Sequence, residues 1–232
     1  MKTSIIVPAY NEEKRIPVFL EELINYSKKN LDDFEILIVN DGSKDKTVDV
    51  VNEVIKKSKA LKAKIIDYSP NKGKGHAVKT GVNDANGDVV VFIDADGSIK
   101  PEEIGVMVKY LKKYDVVIGN RKTASSKIDN PQPLSRRFAS WCFNKYVSIL
   151  LGVKVQDFLC GFKGFRKDVA KKVFSNIKTK RWTFDVEILN NSKKNNYTIF
   201  ELPIEWAHKD DSKMRITDPI KIFFDVFKIR FL

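Results

Sequence analysis

The sequence predicts an α/β fold with a mostly parallel central sheet flanked by helices, on three observations. Short, apolar, β-prone runs alternate with helical periodicity through about residue 120, the pattern of right-handed crossovers in a parallel sheet. Each run ends in polar or glycine-containing sequence, on what becomes one edge of that sheet. One run, Val89 to Ile93, is apolar throughout, as a strand buried on both faces is. It then breaks into Asp94, Ala95, Asp96, Gly97 and Ser98.

Taken in order, Ser4 to Ala9 is a short strand, with Pro8 near its end stopping further pairing. Tyr10, Asn11, Glu12 and Glu13 follow, then Ile16, Phe19, Leu20, Leu23 and Ile24 recur at helical spacing. Phe34 to Val39 is the second strand, closed by Asn40, Asp41, Gly42 and Ser43. A helix from about Asp45 carries Val48, Val51, Val54 and Ile55 on one face. Ala63 to Ile66 is the third strand, and Asn71, Lys72, Gly73, Lys74 and Gly75 lead into another helix. After the strand that ends at Asp94 come a helix opened by Pro101 and a strand from Asp115 to Ile118.

At 232 residues, with 43% hydrophobic content, the chain fits one sizeable α/β domain with a packed core. A net charge of +12 points to anionic partners: nucleotides, phosphorylated lipids, an acidic membrane surface or nucleic acid. Cys142 and Cys160 form no metal-type cluster and read as reduced core thiols. The apolar start, Ser4 to Pro8, is too short for a cleavable signal peptide. No apolar run reaches the roughly 18 to 20 residues of a membrane span. The expectation is a protein that stays on the cytoplasmic side.

Ligands of open α/β sheets bind beyond the carboxyl ends of the strands. Asp94 and Asp96 placed there are hard oxygen donors suited to Mg2+ or Mn2+, with substrate phosphates completing the shell. An isolated Asp-x-Asp is more often an acidic turn; the neighbours reverse that preference. Asp41 at the same edge suits a base or ribose, or equally a helix N-terminal turn. The turn Gly73 to Gly75 offers backbone N–H groups to phosphate, but it matches neither the NTPase loop nor the dinucleotide fingerprint.

The second half is basic: from Asn120 to Trp182 fifteen Lys and Arg stand against three Asp and no Glu. Leu134 to Leu151 reads as a helix with aromatic residues and basic flanks, either an interfacial helix in the headgroup layer or an ordinary amphipathic core helix. Residues 219–232 repeat the theme with Ile220, Phe223, Phe224, Phe227 and Phe231 among Lys221, Lys228 and Arg230. An end so rich in phenylalanine should lie on membrane or on the protein itself. Asp185 and Glu187 do not face each other if helical, so one should meet the site while the other packs or is solvated. His76 and His208 make no metal site. Ser212 to Arg215 is a polar loop carrying two cations, or a solvated linker.

The ordered set Val7-Pro8-Ala9-Tyr10-Asn11-Glu12, Asn40-Asp41-Gly42-Ser43 and Asp94-Ala95-Asp96 resembles glycosyltransferase family 2. Those are inverting enzymes of the Rossmann-like GT-A fold, and the likeness runs from Ser4 to at least Arg215. Gly119-Asn120-Arg121, Ser135-Arg136-Arg137, Cys160-Gly161-Phe162-Lys163, Ser212-Lys213 and Arg181-Trp182 with Phe184-Asp185-Val186-Glu187 are similar to the polyprenyl-phosphate branch. The last of these is nearer the dolichyl-phosphate glucosyltransferases than the mannose synthases. Asn40 departs from the Asp more usual in the family. A second departure is that nothing here matches the C-terminal membrane spans, or the N-terminal anchor, of many relatives.

The resemblance implies a UDP-linked sugar donor, with Pro8, Tyr10, Glu12, Asp41, Lys74, Asp94, Ala95 and Asp96 as its contacts. It also implies Mg2+ or Mn2+ on Asp96 and Asp94, with Ser98 assisting. The implied catalytic set is Asp96, Arg121, Arg137 and Asp185. The acceptor would be dolichyl or polyprenyl phosphate, met by Arg121, Ser135, Arg136, Arg137, Lys213 and Arg215, with Asp157 and Asp185 as candidates for orienting sugar or arginine. A phosphomonoester with a second pKa of about 6 is already largely ionised near neutrality. It needs positioning cations rather than a strong base, which accounts for the basic half without nucleic acid.

The expected organisation is a catalytic domain over 1–215, with 1–120 the nucleotide-sugar half and 121–215 the acceptor half. Residues 216–232 add an amphipathic interface helix, giving a peripheral (monotopic) enzyme on the cytoplasmic face of an anionic membrane, without a span. Glucose is the first choice of sugar, with N-acetylglucosamine or GDP-linked mannose as alternatives. Two rivals stay open. One is a soluble transferase acting on a sugar hydroxyl, with Asp185 as base. The other is a non-catalytic membrane or nucleic-acid binder.

Overall fold

The computed structural model describes residues 1–129, 134–179, 181, 183–207 and 218–231; of Lys127, Asp129, Ser135, Arg136 and 218–222 only the backbone is described. Apolar residues dictate β1 (Lys2–Ala9), β2 (Asp33–Asp41), β3 (Ala63–Tyr68) and β4 (Val89–Ile93). These four strands are parallel, with β1 between β2 and β4. The crossovers are α1 (Ile16–Asn30), α2 (Thr47–Lys57) and α3 (Lys74–Asp84). After α4 (Glu102–Tyr110) and β5 (Val116–Asn120) come β6 (Lys127–Asp129) and α5 (Leu134–Leu151). The chain closes with β7 (Phe162–Arg166), α6 (Lys167–Ser175), α7 (Phe184–Lys194), β8 (Ile199–Pro203), β9 (Glu205–Ala207) and α8 (Asp218–Ile229).

The main sheet runs β3-β2-β1-β4-β7-β5-β8, and a small parallel pair joins β6 to β9. The expected mostly parallel α/β sheet is present. The sequence had not marked β7 as a strand, and it is antiparallel to both β4 and β5. The reason lies in the path. Once α5 is packed on the sheet, the chain arrives at Cys160 on the edge where the parallel strands finish, so the next strand runs back from that edge. Two cores result, one on each face. The first holds α1, α2 and α4; the second holds α3 and α5 through α8.

Helix α5 has the predicted bounds. Its Asn144, Val147 and Leu151 are buried, while Leu134, Phe138, Trp141 and Ile149 are exposed. Cys160 is buried, but Cys142 is exposed and free, so it is not the core thiol expected: its position on α5 turns it outward. Against α5 lies α8, with Tyr146 stacked on Phe223 at 4.1 Å and Arg230 Nη1 donating to the Leu150 carbonyl at 2.8 Å. Val226 and Ile229 of α8 are buried; Phe223, Phe224, Phe227 and Phe231 are exposed. No described helix is long and apolar enough to cross a membrane.

Close approach of α3 to β1 fixes where the start of α3 meets the strand ends. A Cβ on Gly81 would lie 2.6 Å from Cγ2 of the fully buried Ile6. Gly81→Ala is therefore expected to overpack the core and lower stability by about 1–3 kcal/mol, read as a lower urea midpoint at unchanged slope.

Candidate active site

Asp94 is the first residue beyond β4, and its N–H donates to the Gly161 carbonyl at 3.1 Å. Its carboxylate lies flat on that glycine: a Cβ at 161 would sit 1.9 Å from Asp94 Oδ2. Asp96 turns on Gly97, at φ 67°, and its Oδ1 accepts the Ser98 N–H at 2.8 Å. Ser98 is pinned in turn by the Ala207 N–H on its carbonyl. Ala95 is buried. From the first residue of α3, Lys74 Nζ meets Asp94 Oδ1 at 2.5 Å. Burial pushes the Asp94 carboxyl above its ordinary range against the pull of Lys74, and Asp96 adds to the rise. Burial works against the Lys74 ammonium, but Asp94, Asp185 and Asp96 outweigh it and hold its pKa high.

Behind this cluster a second lysine is sealed from water. Lys163 Nζ donates to Asp185 Oδ1 at 2.5 Å and to the Cys160 carbonyl at 2.6 Å, and lies 5.5 Å from the Phe92 ring centroid. Asp185 is in the first turn of α7. Glu187 points elsewhere, accepting the Lys178 and Thr179 N–H groups and the Thr179 hydroxyl. The two carboxylates part as helical spacing predicts, but both are buried and held by partners of the protein's own. Burial pushes the Cys160 thiol up to about 12, leaving it neutral.

Arg121 follows β5. Its Nε and Nη2 form a fork on Asp157, at 2.7 and 2.8 Å, and Trp206 covers it at 5.4 Å. Asp157 is buried, which alone would raise its pKa; Arg121 beside it holds the carboxyl below the usual 3.8. Asn120 and Glu201 frame the turn: the Asn120 amide donates to Glu201 Oε1 at 2.9 Å, and its Oδ1 accepts the Lys122 N–H.

On the other side of β1, the turn before α3 does cradle an anion, and that anion is Asp41. Its Oδ1 accepts from Tyr68 and the Lys72 N–H, and its Oδ2 from the Asn71 amide and the Gly73 N–H. Asp41 therefore holds the turn that presents Lys74. Asn40 donates to Asp67 Oδ1 at 2.7 Å; an aspartate at 40 would set two carboxylates against each other, which accounts for the amide. Glu12 is forked by Arg15, and its N–H donates to Thr47. Pro8 is buried and Tyr10 half-buried beside them at the end of β1.

Asp41, Lys74, Asp94, Asp96, Arg121 and Asp185 thus gather along one edge. Arg137 is exposed on the first turn of α5. Trp182, His208, Ser212, Lys213, Met214 and Arg215, and the side chains of Ser135 and Arg136, lie outside the described residues. Sequence reasoning gave no role to Lys163, Arg15, Asp67 or Glu201. For Lys163 the sequence offered no signal, because the Phe162–Arg166 segment reads as basic. Among the described residues no group of three or more His, Cys, Asp or Glu is arranged to hold a metal. Asp94 and Asp96 fit Mg2+ or Mn2+ as two hard oxygen donors, with diphosphate and water supplying the remainder.

Comparison with known proteins settles the family. The family model described as Glycosyl transferase family 2 matches residues 4–174. The chain belongs to glycosyltransferase family 2. It is 38% identical to dolichyl-phosphate beta-glucosyltransferase ALG5A of Trichomonas vaginalis, over 97% of this chain and 72% of that protein. It is 33% identical to the Dictyostelium discoideum dolichyl-phosphate beta-glucosyltransferase, over 98% and 73%. Glucosyl-3-phosphoglycerate synthase from Mycobacterium tuberculosis, solved with Mn2+, UDP and phosphoglyceric acid, matches at TM-score 0.68 and 18% identity, over 98% of this chain and 76% of that one. This glycosyltransferase therefore has the GT-A fold, and Asp94 and Asp96 stand at the carboxyl edge of its sheet.

Two expectations follow for this family 2 enzyme. Gly161→Ala must drive Asp94 from its place, and transfer activity should fall by about 100-fold, as angstrom-scale misplacement does, with circular dichroism unchanged. The second concerns acid. Because the folded Asp157 carboxyl sits below 3.8, the stability its pair contributes is fully present above that value and is lost as pH falls through the folded pKa. Asp157→Asn should cost about 2 kcal/mol at neutral pH, less than a fully buried pair because Arg121 is 23% exposed, and should flatten the acid limb of a stability–pH curve.

Proposed function

We propose that this enzyme transfers glucose, with inversion, from UDP-glucose to a dolichyl or polyprenyl phosphate at a membrane surface. What carries the proposal is a guanidinium held at the same sheet edge as Asp94 and Asp96, the carboxylates suited to a metal–diphosphate: Arg121, forked on buried Asp157. Asp157 fixes that guanidinium's plane, which suits a phosphate acceptor better than a hydroxyl. Asp185, the candidate base for a hydroxyl acceptor, is bound to buried Lys163. A phosphate nucleophile needs no such base. The names of the relatives support the same acceptor.

In this proposal Pro8, Tyr10 and Glu12 line the base and ribose, and Asp41 presents Lys74 toward the diphosphate. Asp94 and Asp96 would hold Mg2+ or Mn2+, which would supply positive charge to offset that on the departing diphosphate. Arg121, with Arg137, Ser135, Arg136, Lys213 and Arg215, orients the acceptor phosphate for attack opposite the leaving group, giving a β-linked product from an α-linked donor. Residues 1–215 form the catalytic domain, and the segment 216–232, which carries α8, the membrane interface. The exposed Phe138 and Trp141 of α5, with the exposed Phe224 of α8 and Phe231 just after it, fit insertion among headgroups. The net charge of +12 favours an anionic cytoplasmic leaflet, each basic residue near it contributing about 1 kcal/mol.

The test is transfer of radiolabel to the organic phase from UDP-glucose, UDP-N-acetylglucosamine or GDP-mannose, with dolichyl phosphate and Mg2+ or Mn2+. Label from UDP-glucose alone, lost on chelation and lowered about 100-fold in Asp96→Ala, is the expected result. No label from any donor while UDP still binds would overturn the lipid-phosphate acceptor. A protein that fails to sediment with anionic liposomes would overturn the membrane surface.

A further inference from the structure

Two lysine–aspartate pairs stand at this edge of the sheet, and water reaches them differently. The Lys163–Asp185 side chains are 0% and 3% exposed. The Lys74–Asp94 side chains, in equally close contact, are 18% and 34% exposed. The first pair is sealed, a permanent strut. The second is open to an incoming ligand.

Lys74 also lies within electrostatic range of Asp96, and of the Asp185 that Lys163 already holds, so Lys74 is the partly exposed counter-charge to Asp94 and Asp96, which would otherwise repel each other. A divalent ion on Asp94 and Asp96 would share the Asp94 carboxylate with Lys74, whose Nζ meets its Oδ1. With no anion to receive it, Lys74 resists that ion by direct repulsion. A diphosphate changes the balance. The lysine stem is a flexible four-carbon arm on the first residue of α3, where the helix N-terminus favours negative charge. A diphosphate arriving there would compete with Asp94 for the ammonium.

Resting on the donor and metal roles proposed above, we infer that Lys74 is an exchangeable cation, seated on Asp94 until a nucleoside diphosphate draws it off. Metal and nucleotide therefore bind as one event, and the enzyme without nucleotide holds its metal weakly. This assigns Lys74 a second role besides contact with the donor. It is the counter-ion that keeps the carboxylate cluster assembled before substrate arrives.

The experiment is Mn2+ titration of the whole chain, read from the electron paramagnetic resonance signal of free Mn2+, without nucleotide and with UDP. Wild type is compared with Lys74→Met, Lys74→Gln and the charge-preserving Lys74→Arg. Without nucleotide, the two neutral variants should bind Mn2+ about tenfold tighter than wild type, and Lys74→Arg should resemble wild type. With UDP that advantage should vanish, because the variants lack the ammonium that meets the diphosphate. Equal or weaker nucleotide-free Mn2+ binding by a folded neutral variant overturns the inference alone. Loss of fold in both neutral variants, seen by circular dichroism, overturns it too, because the pair is then structural. Absence of Mn2+ binding by wild type even with UDP overturns the donor-and-metal reading beneath it.

Discussion

The Lys163 ammonium lies wholly out of water between β7 and α7, with Asp185 on one side and the Cys160 carbonyl on another. Taking such a charge from water costs several kcal/mol unless its partners are fixed around it. The partners therefore follow the lysine. β7 places Lys163 beside Phe92 of β4, and Asp185 ties the first turn of α7 to the same spot. Phe184, next in the chain, packs so closely on Gly75 that a Cβ there would sit 2.7 Å from the Phe184 Cβ. The start of α3, and hence the reach of Lys74 to Asp94, is set by that contact. One buried charge thus aligns three elements from both halves of the chain.

Around that strut the site manages anions by rank of exposure. Asp41 spends its acceptors inside the protein, holding the turn before α3. Asp157 is buried and spends its oxygens on Arg121. Asp94 alone of these keeps substantial exposure, a third of its side chain. Charged groups nearest the solvent are the ones proposed to meet ligands, and those beneath them keep the upper layer in place.

Much of this was legible in the sequence, for local reasons. Fully apolar runs such as Val89 to Ile93 specify strands buried on both faces, and their polar ends name the ligand-bearing edge. The bounds of α5 were readable because its apolar spacing is unbroken and prolines stand just before it. The direction of β7 was not readable. Phe162-Lys163-Gly164-Phe165-Arg166 looks basic rather than buried, and lysine is a surface residue unless a distant partner neutralises it. That partner, Asp185, is 22 residues away. Asp41 was legible as a polar residue at the right edge, yet its partners at 68 and 71–73 are set by the turn's path. The same holds for Asn40, whose reason is Asp67 on the neighbouring strand.

The place of β7 in the sheet also governs the order in which the molecule can assemble. β4 and β5 are near in sequence but never pair; β7 lies between them, and the other partner of β5 is β8. During synthesis the first four strands can close on one another as they emerge. β5 must wait with both sides unpaired until residues 162–166 leave the ribosome, and the outer edge of β4 waits with it. An open strand edge is a template for pairing with another chain. The interval between residue 120 and residue 166 is therefore when a nascent copy is most prone to capture by its neighbours.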